Sequence, residues 1–256
     1  MTAFSLFFLG AGCSFDPNGI GSEAPVADAG SPAADALAPT ADAAPGPPLC
    51  GPNDPDLIAC FSFENPATPV DDESKYGNDG TALGVVSVAG PPGHGHAMGF
   101  LPGSVASVPD DASLDCTTAI TLELWVRPHT LPASGGRAGL LDNNGQYGLF
   151  LAPDGTVRCS MSSTVASGPI VAVDTWSHIA CRYDGQTVRM YQDGVQRAMV
   201  STSVTLSTGS DDGMRLGMNS PSGDVLDGAI DDVRMWRVAR TPEQICAAAG
   251  RTVCTP

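Results

Sequence analysis

The four histidines are the side chains of this sequence best suited to acid–base or metal chemistry: His94, His96, His129 and His178. Only the run Gly93-His94-Gly95-His96 places two imidazoles close together, as a zinc ion requires. That run is rich in Gly, and no His-x-x-x-His or Cys-x-x-Cys pair accompanies it. The G-x-S-x-G, Walker and dinucleotide-binding motifs are also absent from the sequence. We therefore expect no zinc centre, no nucleotide chemistry and no serine nucleophile.

The eight cysteines offer a second kind of chemistry, the formation of disulfides. If Cys13 is set aside as a lipid attachment site, seven remain, and an odd number cannot all pair within one chain. Cys50 and Cys60 bracket the start of the folded region, and Cys246 and Cys254 bracket a short turn near its end. We predict that each of these two pairs forms a disulfide. Because disulfides persist in oxidising compartments, we expect the protein to be secreted.

The first residues are typical of a secretion signal. Residues 3–11 form an apolar run of nine, which is too short to span a bilayer, and the run leads into Gly10-Ala11-Gly12-Cys13. Residues 1–13 therefore resemble a bacterial lipoprotein signal, which implies that Cys13 becomes the acylated first residue of the mature chain. The alternatives are a plain cleaved signal or an apolar N-terminus without a targeting role.

Residues 14–48 have neither helical nor strand periodicity. Within them, residues 27–47 consist of three seven-residue repeats, ADAGSPA, ADALAPT and ADAAPGP. The regularly spaced prolines exclude a continuous heptad helix. So little bulky apolar surface cannot offset the entropy lost on ordering, which is about 1–2 kcal/mol per residue for the backbone. We expect an extended, disordered spacer that holds a folded domain away from an anchor at Cys13.

The charge balance limits the classes of partner. The 256 residues contain 28 Asp and Glu against 12 Lys and Arg, a formal net charge of −16, and the basic residues are not clustered. Five of the acids lie in residues 1–48, so about two thirds of the negative charge belongs to the remainder. An acidic chain repels phosphate backbones and anionic lipid surfaces. We expect no nucleic-acid partner, membrane attachment only through a lipid at Cys13, and a monomer.

From residue 49 onward the sequence changes to short runs in which apolar and polar residues alternate. Three Asp-Gly pairs lie between such runs, and Asp-Gly is typical of tight hairpin turns: Asp154-Gly155, Asp184-Gly185 and Asp193-Gly194. A helix is indicated only near the end, where the capping sequence Thr241-Pro242-Glu243-Gln244 precedes an apolar run closed by Gly250. We predict one all-β domain over residues 49–256, an antiparallel two-sheet sandwich with a short C-terminal helix.

Six segments make this domain resemble the LamG-like jelly rolls of the concanavalin A-like lectin/glucanase superfamily. They follow one another in the family's order: residues 57–64, 72–82, 95–115, 120–128, 176–195 and 226–245. The most specific are Trp-x-His-x-Ala at Trp176, and Gly-x-Ile-Asp-x-Val-Arg, which begins at Gly228 and ends at Arg234. The resemblance implies a jelly-roll sandwich. It does not select a function, because this fold hosts lectins, hydrolases, adhesion modules and receptors.

The resemblance also identifies where a catalytic site would lie. Family members that hydrolyse β-glucans carry two or three carboxylates alternating along one strand, because retaining hydrolysis needs two of them about 5 Å apart. The comparable strand here, residues 120–128, contains Glu123 alone. The family pattern implies that His178 is structural and that Trp125, Trp176 and Trp236 are core residues. We therefore expect no catalytic residues, and the sequence names no ligand-contacting ones.

Two further expectations come from the resemblance. Sandwiches of this superfamily often hold a structural Ca²⁺ near the strand that bears the Ile-Asp-x-Val-Arg motif, which implies Asp231 as a ligand, with backbone carbonyls and Asp72. The alternative is that Asp231 only hydrogen-bonds a neighbouring loop. The family's strand order also implies neighbouring strands for Cys159 and Cys181 and therefore a third disulfide, which leaves Cys116 free.

These observations together predict a non-catalytic binding or adhesion module. We expect it outside a bacterial cell, in the envelope or secreted, where it recognises a glycan or a surface protein. Two other classes remain open: a glycoside hydrolase or polysaccharide lyase of the same superfamily with an unfamiliar site, and a purely structural envelope protein.

Overall fold

The computed structural model describes residues 50–51, 53–208, 212–220 and 223–254. These residues form two antiparallel sheets. The eight-stranded sheet consists of β1 (Leu57–Phe61), β3 (Val86–Ala89), β4 (His96–Phe100), β6 (Ile120–Pro128), β11 (Ser177–Tyr183), β12 (Thr187–Gln192), β13 (Val195–Ser201) and β15 (Gly228–Trp236). The seven-stranded sheet consists of β2 (Thr81–Leu83), β5 (Val105–Val108), β7 (Ala138–Asn143), β8 (Tyr147–Leu151), β9 (Thr156–Met161), β10 (Thr164–Ile170) and β14 (Met214–Leu216).

The strand order is that of a jelly-roll sandwich. The eight-stranded sheet runs β13-β12-β11-β6-β15-β4-β3, and β1 pairs with the second half of β15. The seven-stranded sheet runs β10-β9-β8-β7-β14-β5-β2. Every strand pair is antiparallel, so the predicted all-β sandwich is confirmed.

The three Asp-Gly pairs turn the hairpins β8–β9, β11–β12 and β12–β13, as their spacing predicts. Asp193 and Gly194 both have positive φ, 49° and 74°, which is the backbone that the tightest hairpin turn requires. Alternation along the strands then directs one side chain in two between the sheets. In β6, for example, Leu122 and Leu124 enter the core, whereas Thr121 and Glu123 lie on the outer face.

Three disulfides are present, Cys50–Cys60, Cys159–Cys181 and Cys246–Cys254, and Cys116 is buried and unpaired. The strands that carry Cys159 and Cys181 are not neighbours, contrary to our expectation. Cys159 lies in β9 of the seven-stranded sheet and Cys181 in β11 of the eight-stranded sheet, so their disulfide crosses the core. Alternation directs both side chains inward, where facing sheets bring them within bonding distance.

The short helix α1 (Pro242–Ala248) forms where the sequence predicts it. Thr241 accepts the amide of Gln244 at 3.2 Å, and the Gln244 side chain accepts the amide of Thr241 at 2.8 Å, which completes a capping box. Ile245 packs with Ala180 and Tyr191 on the outer face of the eight-stranded sheet. The helix therefore covers part of that face.

Cys13 and the predicted segments 1–13 and 14–48 lie outside the described residues. No helix in the described part of the chain combines the length and apolar character needed to cross a membrane.

Candidate functional site

The outer face of the eight-stranded sheet holds Glu123, the carboxylate that stands alone in its strand. It is fully buried. Arg240 donates to both of its oxygens, at 2.9 and 3.1 Å, and Arg234 Nη2 lies 3.4 Å from Oε2. His178 Nε2 lies 3.7 Å from the same oxygen, too far for a hydrogen bond. Burial opposes ionisation, but these three groups together hold the pKa of Glu123 below its ordinary value.

The segment that supplies Arg240 closes this face. Residues 237–241, which we name the C-terminal strap, cross the outer side of β6. Thr121 donates its hydroxyl to the carbonyl of Val238 at 2.7 Å and accepts the amide of Arg240 at 2.9 Å. The guanidinium of Arg240 lies 4.0 Å over the ring of Trp236. No substrate can therefore reach Glu123 while the strap is in place.

The three tryptophans are not in the core between the sheets, where the family pattern implied them. Trp236 packs in a small separate cluster with Leu57 and the Cys50–Cys60 disulfide. Trp125 is half-buried and lies between the rings of His94 and His178, each 5.3 Å away. Trp176 is half-buried against Arg127, whose guanidinium carbon is 5.0 Å from the ring centre. The outer face of the eight-stranded sheet thus has its own aromatic and ionic packing.

Of the two predicted calcium residues, Asp72 is already saturated with hydrogen bonds. Its carboxylate accepts the amides of Cys60, Ser74 and Asn78 and the hydroxyl of Ser74, all at 2.8–2.9 Å. These bonds tie the loop after β1 to that strand. Sequence reasoning could not separate this role from metal binding, because both need a buried carboxylate.

Asp231 is the opposite case. It is fully buried in β15, its Oδ1 accepts the amide of Asp232 at 2.8 Å, and its Oδ2 has no hydrogen-bond partner among the described atoms. Burial, together with the negative charges of Asp232 and Glu64, raises the pKa of Asp231 to about 9. An orphaned carboxylate oxygen in such a place indicates an unfilled interaction.

The turn over Asp231 brings other oxygens to the same place. A Cβ on Gly90 would lie 2.6 Å from Asp231 Oδ2 and 3.1 and 3.3 Å from the carbonyl oxygens of His94 and Gly95. Three oxygens therefore border the space that the missing side chain leaves. Within the described ranges, no three His, Cys, Asp or Glu side chains converge as metal ligands. Any ion here would rely on backbone carbonyls, which the sequence does not reveal.

The outer face of the seven-stranded sheet holds a cleft of about 120 Å³, which we name the Phe150 cleft. It is lined by Arg137, Phe150, Leu151, Ala152, Arg158, Ser160 and Val165. Strands β8, β9 and β10 supply most of this lining, so its floor is rigid sheet. On the far side of Arg137, the segment after β14 closes over Gly139, where a Cβ would lie 2.1 Å from the carbonyl of Met218.

Arg137 is fixed at one wall of the Phe150 cleft. Its Nε donates to Asp224 at 3.1 Å, its Nη2 donates to Asn219 at 2.6 Å, and its guanidinium carbon lies 4.5 Å from the centre of the Phe150 ring. Behind it, Asp142 accepts the amide of Ser220 at 2.7 Å. Burial raises the pKa of Asp142 to about 6, against the opposing effects of the Ser220 amide and of Arg137.

Our sequence reasoning did not single out any residue of the Phe150 cleft. Strand alternation in residues 156–161 could have indicated Arg158 and Ser160, because the alternate residues Val157 and Cys159 are in the core. The opposite wall had no such signal. Arg137 and its partners Asn219 and Asp224 are more than 80 residues apart in the chain.

Comparison with known proteins places the chain in a family. A laminin G family model, described as the concanavalin A-like lectin/glucanases superfamily, matches residues 102–246. No curated protein sequence matches the chain. One similar solved structure is domain 4 of AbnA, a GH43 extracellular arabinanase from Geobacillus stearothermophilus, in complex with arabinotriose. It has a TM-score of 0.61 and 23% identity, and the match covers 76% of this chain and 98% of that one.

Two other similar structures belong to longer proteins. A structure of botulinum neurotoxin type C, whose cell entry depends on two ganglioside molecules, matches with TM-score 0.58 and 11% identity over 76% of this chain and 51% of that one. Trypanosoma rangeli sialidase in complex with the inhibitor DANA matches with TM-score 0.57 and 14% identity over 75% and 32%. At these identities the similarity establishes the fold alone. The similar structures include both binding domains and an enzyme.

We predict that Glu123 is structural. Glu123→Gln should lower the free energy of unfolding by about 3–5 kcal/mol, measured by urea denaturation, because it leaves Arg240 and Arg234 beside a neutral group. The pKa of Glu123 is lowered in the fold, so its stabilisation is present at neutral pH and is lost as the pH falls below the ordinary glutamate range. Glu243→Gln, at an exposed helix position, is the matched control. A Glu123→Gln protein as stable as the wild type would contradict this role.

Proposed function

Because the chain belongs to the concanavalin A-like lectin/glucanases superfamily, we propose that it is a non-catalytic module that binds carbohydrate in the Phe150 cleft. The observation that carries this proposal is the contrast between the two outer faces. The C-terminal strap and helix α1 cover part of the outer face of the eight-stranded sheet, whereas the seven-stranded sheet presents a cleft that places two arginines and a serine beside an aromatic ring and aliphatic side chains. A concave site with a few fixed polar groups suits a small polar ligand.

The similar structures support a sugar as the ligand, because one of them holds arabinotriose and another is of a toxin whose cell entry depends on gangliosides. A larger space of about 340 Å³ lies beside helix α1, lined by Tyr191, Gln196 and Arg251 among others. We prefer the Phe150 cleft because five of its seven lining residues belong to strands, whereas strands supply three of the eight residues around the larger space.

The absence of catalysis is part of the proposal. Glycoside hydrolysis needs two carboxylates that flank the ligand. Glu123 is closed off, and the described lining of the Phe150 cleft contains no carboxylate. Asp142, behind Arg137, is bound to the amide of Ser220. A hydrolase or lyase would need a second carboxylate that reaches the ligand.

We predict that Ser160→Tyr abolishes sugar binding by the full chain on a glycan array, because the new ring fills the cleft floor. The matched control is Ser201→Tyr, on an exposed position of β13 in the other sheet, which should bind as the wild type does. The melting temperatures of both variants are measured to show that they fold. Release of reducing ends from any bound polysaccharide would contradict the non-catalytic proposal, and equal binding by Ser160→Tyr would exclude this cleft.

We further propose that the module is displayed on the outside of a bacterial cell. Its three disulfides support an oxidising compartment. Residues 1–13, with their lipoprotein-like signal, would attach the chain through Cys13, and residues 14–48 would serve as the spacer. We predict that a clickable palmitate analogue labels the wild-type chain in cells but not Cys13→Ser. Equal labelling of the two would remove the anchor from the proposal.

A structural calcium ion beside Asp231 is a second part of the proposal. The orphaned Oδ2 of Asp231 and the carbonyl oxygens of His94 and Gly95 suit a cation that takes oxygen ligands, and Glu64 adds negative charge close by. Asp72 takes no part, because it already accepts four hydrogen bonds. A bound cation would favour the ionised form of Asp231 and hold the turn of residues 90–96 against β15.

We predict that calcium raises the melting temperature of the EGTA-treated full-length protein. At a calcium concentration a hundredfold above the dissociation constant, the free energy of unfolding should increase by about 2.7 kcal/mol. Asp231→Asn should lose this increase. Asp72→Asn is the matched control, which should be less stable with or without calcium yet keep the increase. A wild-type melting temperature that calcium leaves unchanged would remove the ion from the proposal.

A further inference from the structure

The Phe150 cleft has a charge opposite to that of the whole chain. The chain carries −16 with only 12 Lys and Arg, yet two of these, Arg137 and Arg158, line one cleft of about 120 Å³. The other lining residues are uncharged. A chain this acidic repels anionic ligands at long range. A local pair of guanidinium groups is therefore the feature that would let an acidic ligand bind.

Arg158 is the freer of the two cations. It lies in the middle of β9 between two core residues, Val157 and Cys159, so it projects from the outer face, and it is exposed. Within the described ranges it makes no ion pair and no side-chain hydrogen bond. The charge of Arg158 has only a weak effect on Asp154, because it is the smallest of the effects that lower the pKa of Asp154. The positive charge of Arg158 is thus available to a ligand.

Arg137 is held in place before a ligand arrives. Asp224 and Asn219 bind its Nε and Nη2, and its guanidinium lies against the Phe150 ring. Its Nη1 is left without a partner among the described residues, on a side chain that is about half exposed. A guanidinium already fixed in orientation loses little entropy when it pairs with a carboxylate.

We propose that the ligand is an acidic carbohydrate whose carboxylate pairs with Arg158 and the free edge of Arg137. The planar guanidinium fork matches the geometry of a carboxylate, and Val165, with about half of its surface exposed, offers the ring an apolar contact. This inference rests on the proposed function, since it names the chemical class of the sugar that the Phe150 cleft binds. The same carboxylate chemistry is provided by uronic acids and by sialic acids.

The test is isothermal titration of the full-length protein with two acidic sugars, trigalacturonic acid and sialyllactose, and two neutral ones, galactotriose and lactose. We expect binding of one or both acidic sugars, with at least about tenfold weaker binding of the neutral counterpart. Arg158→Gln should weaken binding of the acidic sugar about tenfold or more, and added salt should weaken binding to the wild type. Trigalacturonic acid and sialyllactose distinguish the two sources of the carboxylate.

Arg197→Gln is the matched control, because Arg197 is an exposed arginine in β13 of the other sheet. It should bind the acidic sugar as the wild type does. If neutral sugars bind as tightly as acidic ones and Arg158→Gln has no effect while Ser160→Tyr abolishes binding, the acidic class is wrong and the proposed function stands. If the protein binds neither these four sugars nor any glycan on the array, the proposed function fails together with this inference.

Discussion

The buried carboxylate of Glu123 is the constraint on which the arrangement of the two faces depends. A fully buried carboxylate stays ionised only where positive groups or hydrogen-bond donors compensate its charge, and for Glu123 the principal partner is Arg240. Arg240 belongs to the C-terminal strap, so the chain after β15 has to cross the outer side of β6. The strap leads directly into helix α1, which packs on the same sheet. Part of one outer face of the sandwich is thereby covered, whereas the other outer face holds the Phe150 cleft.

The same physical rule separates the two acids that the family pattern singled out. Asp72 is satisfied by four neutral donors and needs no counter-charge. Asp231 accepts one amide and has an unmatched oxygen beside two backbone carbonyls, with further negative charge nearby. Both are buried aspartates in loops or strands close to β1. What distinguishes them is the number of hydrogen-bond donors within reach, and this difference is the reason that we propose a cation beside Asp231 and not beside Asp72.

The net charge of the chain does not predict the charge of a particular site, because that depends on where the acidic and basic residues lie in the fold. Some acids, such as Glu123, are paired with arginines inside the fold and contribute little to a long-range field. The arginines divide in the same way. Arg240 and Arg234 neutralise Glu123, whereas Arg158 is exposed in the Phe150 cleft without a partner among the described residues. A protein can therefore be acidic as a whole and still offer a locally cationic site.

The sequence by itself determined the fold class, the three Asp-Gly hairpins, the capped helix and the two local disulfides, Cys50–Cys60 and Cys246–Cys254. These are set by interactions between residues near in sequence, or by strand alternation, which the residue types display directly. Only the tertiary structure decided that the Cys159–Cys181 disulfide crosses the core, that the strap closes over Glu123, and that Arg137 meets Arg158 across a cleft. Each of these depends on which strands and loops face one another. That arrangement is fixed by packing and charge pairing between segments far apart in the chain, 117 residues in the case of Glu123 and Arg240, so a local sequence pattern does not reveal it.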